Sequence, residues 1–218
     1  MVIEEQLVQI TDSAIDDLIT IFNVTPYFFY TENDLHCYLY TQLLNKLLME
    51  GCFCKTVDGK NSVLLHKEYP TKERYSRKAL KEGLKKGSRG HFDLSIWNPA
   101  KTEDRLFRVS QSTDFWREQQ TFIAIEFDLI EGNDNLDQAI HHFKWDLLKL
   151  RSEKNEVEHG YQLVFVRDWI YSEGFLGEVK PLVSEENRVV ILYVENTQSK
   201  TTVGTLSRKQ FLNYNSFI

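Results

Sequence analysis

Two apolar stretches each carry carboxylates where strand cores are expected: Phe122-Ile123-Ala124-Ile125-Glu126-Phe127-Asp128 and Gly90-His91-Phe92-Asp93-Leu94-Ser95-Ile96. Side chains alternate across a strand, so Glu126 and Asp128 share one face and Ile125 and Phe127 the other. If the two strands are neighbours in matching register, Asp93 and Glu126 converge on one spot. An ionised group among apolar residues is costly unless something pairs with it, and a divalent metal is one such partner. Mg²⁺ takes one or two carboxylates and completes its shell with waters and phosphate oxygens. Held this way, it polarises a phosphate and lowers the pKa of a bound water, which is the chemistry of phosphodiester hydrolysis. The competing reading puts each acid at an exposed strand end or beside Lys67, Arg89 or Lys149.

Other reactive residue types offer less. His141 and His142 are adjacent on a helical pattern, so they face different ways and do not chelate one ion together. There is no Gly-rich phosphate loop and no nucleophile elbow. Cys37, Cys52 and Cys54 lack the partners at ligand spacing that a zinc site or a disulfide framework requires. The aromatic run Tyr27-Phe28-Phe29-Tyr30 and the tryptophans Trp97, Trp116, Trp145 and Trp169 could stack on bases, but such residues more often build a core.

The 218 residues are enough for one domain with a real core, and 42% hydrophobic and 27% charged residues are ordinary for a globular protein. No apolar run approaches the ~18 residues of a membrane span, and Met1-Val2-Ile3-Glu4-Glu5 has no signal-like character, so a cytoplasmic protein is expected. A net charge of −6 does not mark a nucleic-acid binder. The average hides a reversal: Lys72, Arg74, Arg77, Lys78, Lys81, Lys85, Lys86 and Arg89 stand against only Glu73 and Glu82. Such a segment can hold a phosphate backbone, or it can be a solvated connection.

The elements that must position these residues follow from spacing. Helical periodicity covers Thr11 to Phe22 and stops before Pro26. Thr31-Glu32-Asn33-Asp34 has capping-box spacing and opens a helix lined by Leu35, Leu39, Leu43 and Leu47, which Gly51 ends. Strands are expected over Ser62 to Tyr69 (ended by Pro70), His91 to Trp97, Thr121 to Ile130, Tyr161 to Asp168 and Arg188 to Glu195. Gly83, Gly87 and Gly90 interrupt the basic stretch, and Leu106, Phe107 and Val109 suggest a short extra strand. Leu136, Ile140, Phe143, Leu147 and Leu150 mark a helix over Asp137 to Lys154. A helix joining two apolar strands favours a parallel pair, and the three strands before it can form a meander. The expected fold is a single α/β domain, residues 1–218, with a mixed sheet and helices on both faces.

The ordered set resembles the PD-(D/E)XK nuclease superfamily, with its restriction-endonuclease-like α-β-β-β-α-β core. The matching pieces are Thr31-Glu32-Asn33-Asp34-Leu35, His66-Lys67-Glu68-Tyr69-Pro70, Arg89-Gly90-His91-Phe92-Asp93-Leu94, Ile123-Ala124-Ile125-Glu126-Phe127-Asp128 and Lys144-Trp145-Asp146-Leu147-Leu148-Lys149-Leu150. They span residues 27–168, and only their joint order is specific. The resemblance implies cleavage of DNA with Mg²⁺ (or Mn²⁺), with Asp93 and Glu126 as metal ligands and the Phe127 carbonyl as a third. It also implies that Glu32 approaches the metal through water and that Asp146 and Lys149 form a recurring helix pattern. Lys72, Arg74, Arg77, Lys78, Lys85, Lys86 and Arg89 would hold the backbone, and a homodimer is one expectation because many such nucleases work as dimers. The departure is Asp128, which stands where the family usually has its water-orienting lysine. Asp128 becomes an extra ligand, or a lysine arrives from elsewhere (Lys144, Lys149 or Lys67), or catalysis is lost. The last outcome would make the chain an inactive nuclease-fold module that binds nucleic acid or a protein.

Overall fold

The computed structural model describes residues 2–55, 59–75, 88–99, 120–182 and 188–196. Helices α1 (Val2–Val24) and α2 (Glu32–Met49) come first, then a hairpin of β1 (Phe53–Lys55) and β2 (Asn61–Val63). The main sheet follows: β3 (Leu65–Tyr75), β4 (Ser88–Trp97), β5 (Thr121–Glu131), helix α3 (Leu136–Arg151), β6 (His159–Arg167), helix α4 (Ser172–Val179) and β7 (Val189–Asn196). Its spatial order is β3-β4-β5-β6-β7. The β3–β4 and β4–β5 pairs are antiparallel, whereas β5–β6 and β6–β7 are parallel. The meander and the helical crossover expected from the sequence are therefore both present in a mixed α/β sheet flanked by helices.

Alternation along β5 sorts its residues between two cores. Ile123, Ile125 and Phe127 pack with Leu163, Phe165, Leu18, Phe22 and the Leu35–Leu47 face of α2. On the other side, Ala124 meets Leu150, and Ile130 lies with Phe143 and Leu147 of α3 and Phe175 of α4. Glu126 and Asp128 fall between Ala124 and Ile130, so they face α3.

Several boundaries differ from the sequence reading. The first helix starts at Val2 rather than Thr11. Pro70 does not end its strand: β3 continues to Tyr75, with a register shift between Pro70 and Arg74. β3 is an edge strand, where a residue without an N–H is tolerated on the unpaired side. Helix α3 stops at Arg151 because Ser152 takes an extended conformation. The segment read as one strand from Ser62 divides between β2 and β3, and α4 had no clear periodic signal. The proposed strand at Leu106–Val109, and Gly83 and Gly87, lie outside the described residues.

Candidate metal centre

Helix α2 enters the site on a tethered approach. The Asp34 carboxylate accepts the backbone N–H groups of Thr31 (2.7 Å) and Tyr30 (2.9 Å), closing the first turn as the capping spacing predicted. Arg167, buried at the end of β6, donates to the Pro26 (3.1 Å) and Phe29 (2.5 Å) carbonyls and holds the chain leading into the helix. Glu32 is thereby set at the helix start, where Leu129 N–H donates to its Oε2 at 3.4 Å. One turn later His36 lies against the Phe127 ring, with centroids 4.5 Å apart.

The ladder between β4 and β5 runs from Trp97–Thr121 to Leu94–Ile125. Just beyond it, the Asp93 carboxylate takes the place of a backbone acceptor and receives Phe127 N–H at 2.8 Å. That brings Asp93 Oδ2 to 3.6 Å from His36 Nε2, and Glu32 Oε1 lies 3.7 Å from the same nitrogen. The donor atoms of Glu32, His36 and Asp93 all lie within 4.8 Å of one another. Burial pushes Glu32 up to about 7, with Asp93 and Asp128 adding to the effect. Burial likewise raises Asp93 to about 7, against the opposing Phe127 N–H and Lys149 charge. His36 moves down to about 4, because burial and nearby Lys67 both disfavour the imidazolium.

A second group sits on the α3 face. Asp128 Oδ1 is 2.8 Å from His142 Nδ1, and its Oδ2 accepts from Gln162 Nε2 at 3.3 Å. Asp146, one turn along α3, is 3.8 Å from the same imidazole nitrogen. The hydrogen bond that His142 donates to Asp128 raises its pKa to about 9, with the charges of Asp146, Asp128 and Glu32 outweighing burial. Burial raises Asp128 to about 6, against the pull of His142.

Glu126, only 1% exposed, belongs to neither group. Its Oε1 is ion-paired with Lys149 Nζ at 2.7 Å, and that ammonium also meets Asp146 (2.8 Å) and donates to the His91 carbonyl (3.0 Å). Burial works against the Lys149 charge, but Glu126 and Asp146 outweigh it and hold Lys149 above the usual lysine range. Comparison with known proteins returns no match: no family model, no curated protein and no solved structure is similar to this chain.

The other sequence candidates are placed as follows. Phe127 meets Asp93 through its N–H and His36 through its ring. Lys144 pairs with Glu178 at 3.5 Å, and Lys67 contacts Asn33 and lies 3.8 Å from Cys37 Sγ, so neither reaches Glu126. Lys72 is engaged by Glu156 at 2.6 Å. Arg74 and Arg89 pair through their backbones in β3 and β4. Arg77, Lys78, Lys81, Lys85 and Lys86, and with them most of the basic segment, lie outside the described residues, as does Trp116. Among the aromatics, Phe29, Trp97 and Trp169 are buried, but Tyr27, Phe28 and Tyr30 are exposed rather than core.

Sequence reasoning passed over His36 and His142. A signal existed: Glu32 and His36, and again His142 and Asp146, stand four residues apart on one helix face, the spacing at which side chains meet. His142 does face away from its neighbour His141, but its partner on the helix is Asp146, one turn on. Among the described residues no helix is long and apolar enough to cross a membrane.

Proposed function

We propose that this chain is a metal-dependent phosphodiester hydrolase acting on DNA, built on a restriction-endonuclease-like core. The observation carrying the reading is the Lys149 ammonium 2.7 Å from Glu126. The resemblance asks for a lysine two residues after the glutamate, and Asp128 stands there instead. Helix α3 delivers a lysine to the same carboxylate, which is the relocation that a long, flexible point charge permits. With the separate β1–β2 hairpin set aside, the order α2, β3, β4, β5, α3, β6 matches the α-β-β-β-α-β order of that core.

In this reading Asp93 and Glu32 hold the ion, with Glu126 bordering it. A bound Mg²⁺ or Mn²⁺ would polarise the scissile phosphate and acidify a water. The residues themselves do the positioning: Phe127 N–H orients Asp93, Leu129 N–H steadies Glu32, and Asp146 and the His91 carbonyl fix Lys149 beside Glu126. A fixed ammonium there stabilises negative charge growing on a phosphoryl oxygen. Asp128 is not a ligand in this scheme, because His142 and Gln162 occupy its two oxygens. The basic segment from Lys72 to Arg89 supplies the backbone contact.

One observation favours a second reading, a nuclease-fold module that binds without cleaving. Three acceptors (Glu126, Asp146 and the His91 carbonyl) surround Lys149, which is the number of hydrogens its ammonium carries. Incubation of plasmid and single-stranded DNA with Mg²⁺ or Mn²⁺ decides between them. Cleavage by the wild type that is lost in Asp93→Ala, Glu126→Ala and Lys149→Ala supports the hydrolase. Turnover surviving Asp93→Ala and Glu126→Ala sinks the site assignment, and no turnover with either metal supports the second reading.

A further inference from the structure

His36 is 5% exposed, and neither ring nitrogen has a hydrogen-bond partner among the described residues. A buried polar group in that condition costs about 1–3 kcal/mol, so it calls for an explanation. Its Nε2 points between two carboxylates at 3.6 and 3.7 Å, too far for good hydrogen bonds. An ion ~2.1 Å from each donor holds neighbouring donors ~3.0 to ~3.4 Å apart, depending on the coordination angle. The two contacts to His36 Nε2 therefore reach that geometry by contracting a few tenths of an ångström, and the two carboxylates, within 4.8 Å of each other, close around the same ion.

We infer that Glu32, His36 and Asp93 bind a first-row transition-metal dication, with His36 Nε2 as its nitrogen ligand. The inference deepens the reading above and rests on this cluster being a metal centre, but it names a different metal class from the Mg²⁺ expected there. Each ligand has its own support. The four-residue spacing on α2 pairs Glu32 with His36, Phe127 N–H fixes Asp93, and the Phe127 ring sets the imidazole plane. Two carboxylates and one imidazole suit Mn²⁺, Fe²⁺, Co²⁺ or Zn²⁺. Mg²⁺ prefers oxygen donors and gives up its waters reluctantly, so it gains little from the nitrogen.

The test titrates the metal-stripped full chain with Mn²⁺, Co²⁺ and Mg²⁺ separately, reading melting temperature and binding heat, and records the pulsed-EPR spectrum of bound Mn²⁺. Mn²⁺ and Co²⁺ should each fill one site and raise the melting temperature, with Mg²⁺ needing at least about tenfold higher concentration. Bound Mn²⁺ should show ¹⁴N coupling. His36→Gln should abolish that coupling and weaken Mn²⁺ binding at least about tenfold, while His142→Gln keeps both. Equal responses to Mg²⁺ and Mn²⁺, absent ¹⁴N coupling, or loss of the site in His142→Gln rather than His36→Gln would each overturn the proposal. Should His36→Gln fail to fold, the wild-type selectivity and coupling still decide, and Glu32→Gln, on a more exposed residue, must weaken all three ions. Mn²⁺ held through nitrogen in a chain that cuts no DNA would end the hydrolase reading and leave this one standing. DNA cleavage with Mg²⁺ by a chain whose Mn²⁺ shows no nitrogen coupling would do the reverse.

Discussion

Two groups of the same composition, each an imidazole with two carboxylates, lie beside β5, one carried by α2 and β4 and the other by β5 and α3, and they differ in how their charge is settled. On the α3 face, His142 hydrogen-bonds Asp128, and Lys149 is paired with both Asp146 and Glu126. Positive charge is thus built into that group, and burial is offset by short contacts. On the α2 side, burial pushes Glu32 and Asp93 both up to about 7, with Asp93 adding to the rise of Glu32, and the imidazole between them is driven toward the neutral form by burial and Lys67. Residue types alone do not make a metal site. What separates the two groups is how closely the protein supplies counter-charge: His142 and Lys149 make short contacts with Asp128 and Asp146, whereas among the described residues they act on Glu32 and Asp93 only from a distance. A cation therefore gains more there than beside Asp128.

The comparison breaks most easily at Lys149. Lys149→Met should cost about 3–5 kcal/mol, because Glu126 and Asp146 would be left buried without their partner. Urea unfolding measures the loss, and adding Glu126→Gln to the same chain should restore part of it by removing the stranded charge. A loss below about 1 kcal/mol for Lys149→Met would mean that the ion pair does not hold the α3 group together.

A smaller effect is expected at the start of α3, which carries His142, Asp146 and Lys149. The Asn135 side chain caps this helix by accepting Gln138 N–H at 3.1 Å. Asn135→Ala should cost about 1 kcal/mol of stability and leave Mn²⁺ affinity unchanged, since the proposed ligands sit on α2 and β4. A parallel fall in Mn²⁺ affinity would show that the two groups are one functional unit.

Legibility in the sequence stopped at a definite physical boundary. Periodicity along one element was enough to place Glu126 and Asp128 on a common face, to find α3 from Leu136, Phe143, Leu147 and Leu150, and to close α2 with Asp34. It did not reveal that Asp146 and Lys149 are buried, because a three-residue spacing looks the same on a solvated face and against a sheet. His36 stayed hidden for a related reason. Its meaning depends on how α2 crosses Phe127 and on Asp93 turning to the Phe127 N–H where the β4–β5 ladder ends, and both are contacts between distant segments. Pro70 misled because a proline marks a strand's end only if the strand has neighbours on both sides, and β3 has one.

The pH dependence of stability should separate the groups further. The hydrogen bond with Asp128 raises His142 from 6.5 to about 9. A raised histidine contributes fully below its unfolded value and loses that contribution as pH climbs through the folded one. The groups facing it are Asp128, Asp146 and Glu32, all carboxyls, so the sign is the same from every side. Wild type should thus lose stability relative to His142→Gln between about pH 6.5 and 9, measured in chelator. Taking the difference between the two chains cancels the contribution of buried thiols Cys52 and Cys54, which both chains share. A flat difference across that window would mean that the imidazolium pairing with Asp128 contributes nothing.

The smallest expected change is at His36 in metal-free protein, and its smallness is the point. His36→Met removes a 95% buried side chain, which in an ordinary core position would be felt strongly. Here it also removes two buried nitrogens without partners and keeps an apolar contact with the Phe127 ring. The relief of the unsatisfied polar atoms and the imperfect refilling of the space should nearly cancel, leaving about 1 kcal/mol or less of either sign. With Mn²⁺ present the balance shifts, because wild type gains the binding energy of the ion and the variant gains far less. Melting curves of both chains with chelator and with Mn²⁺ read this directly: near coincidence in the first case and a clear separation in the second. A variant that falls well below wild type even in chelator would mean that the imidazole stabilises the fold itself, and the contrast between the two groups would then lose its basis.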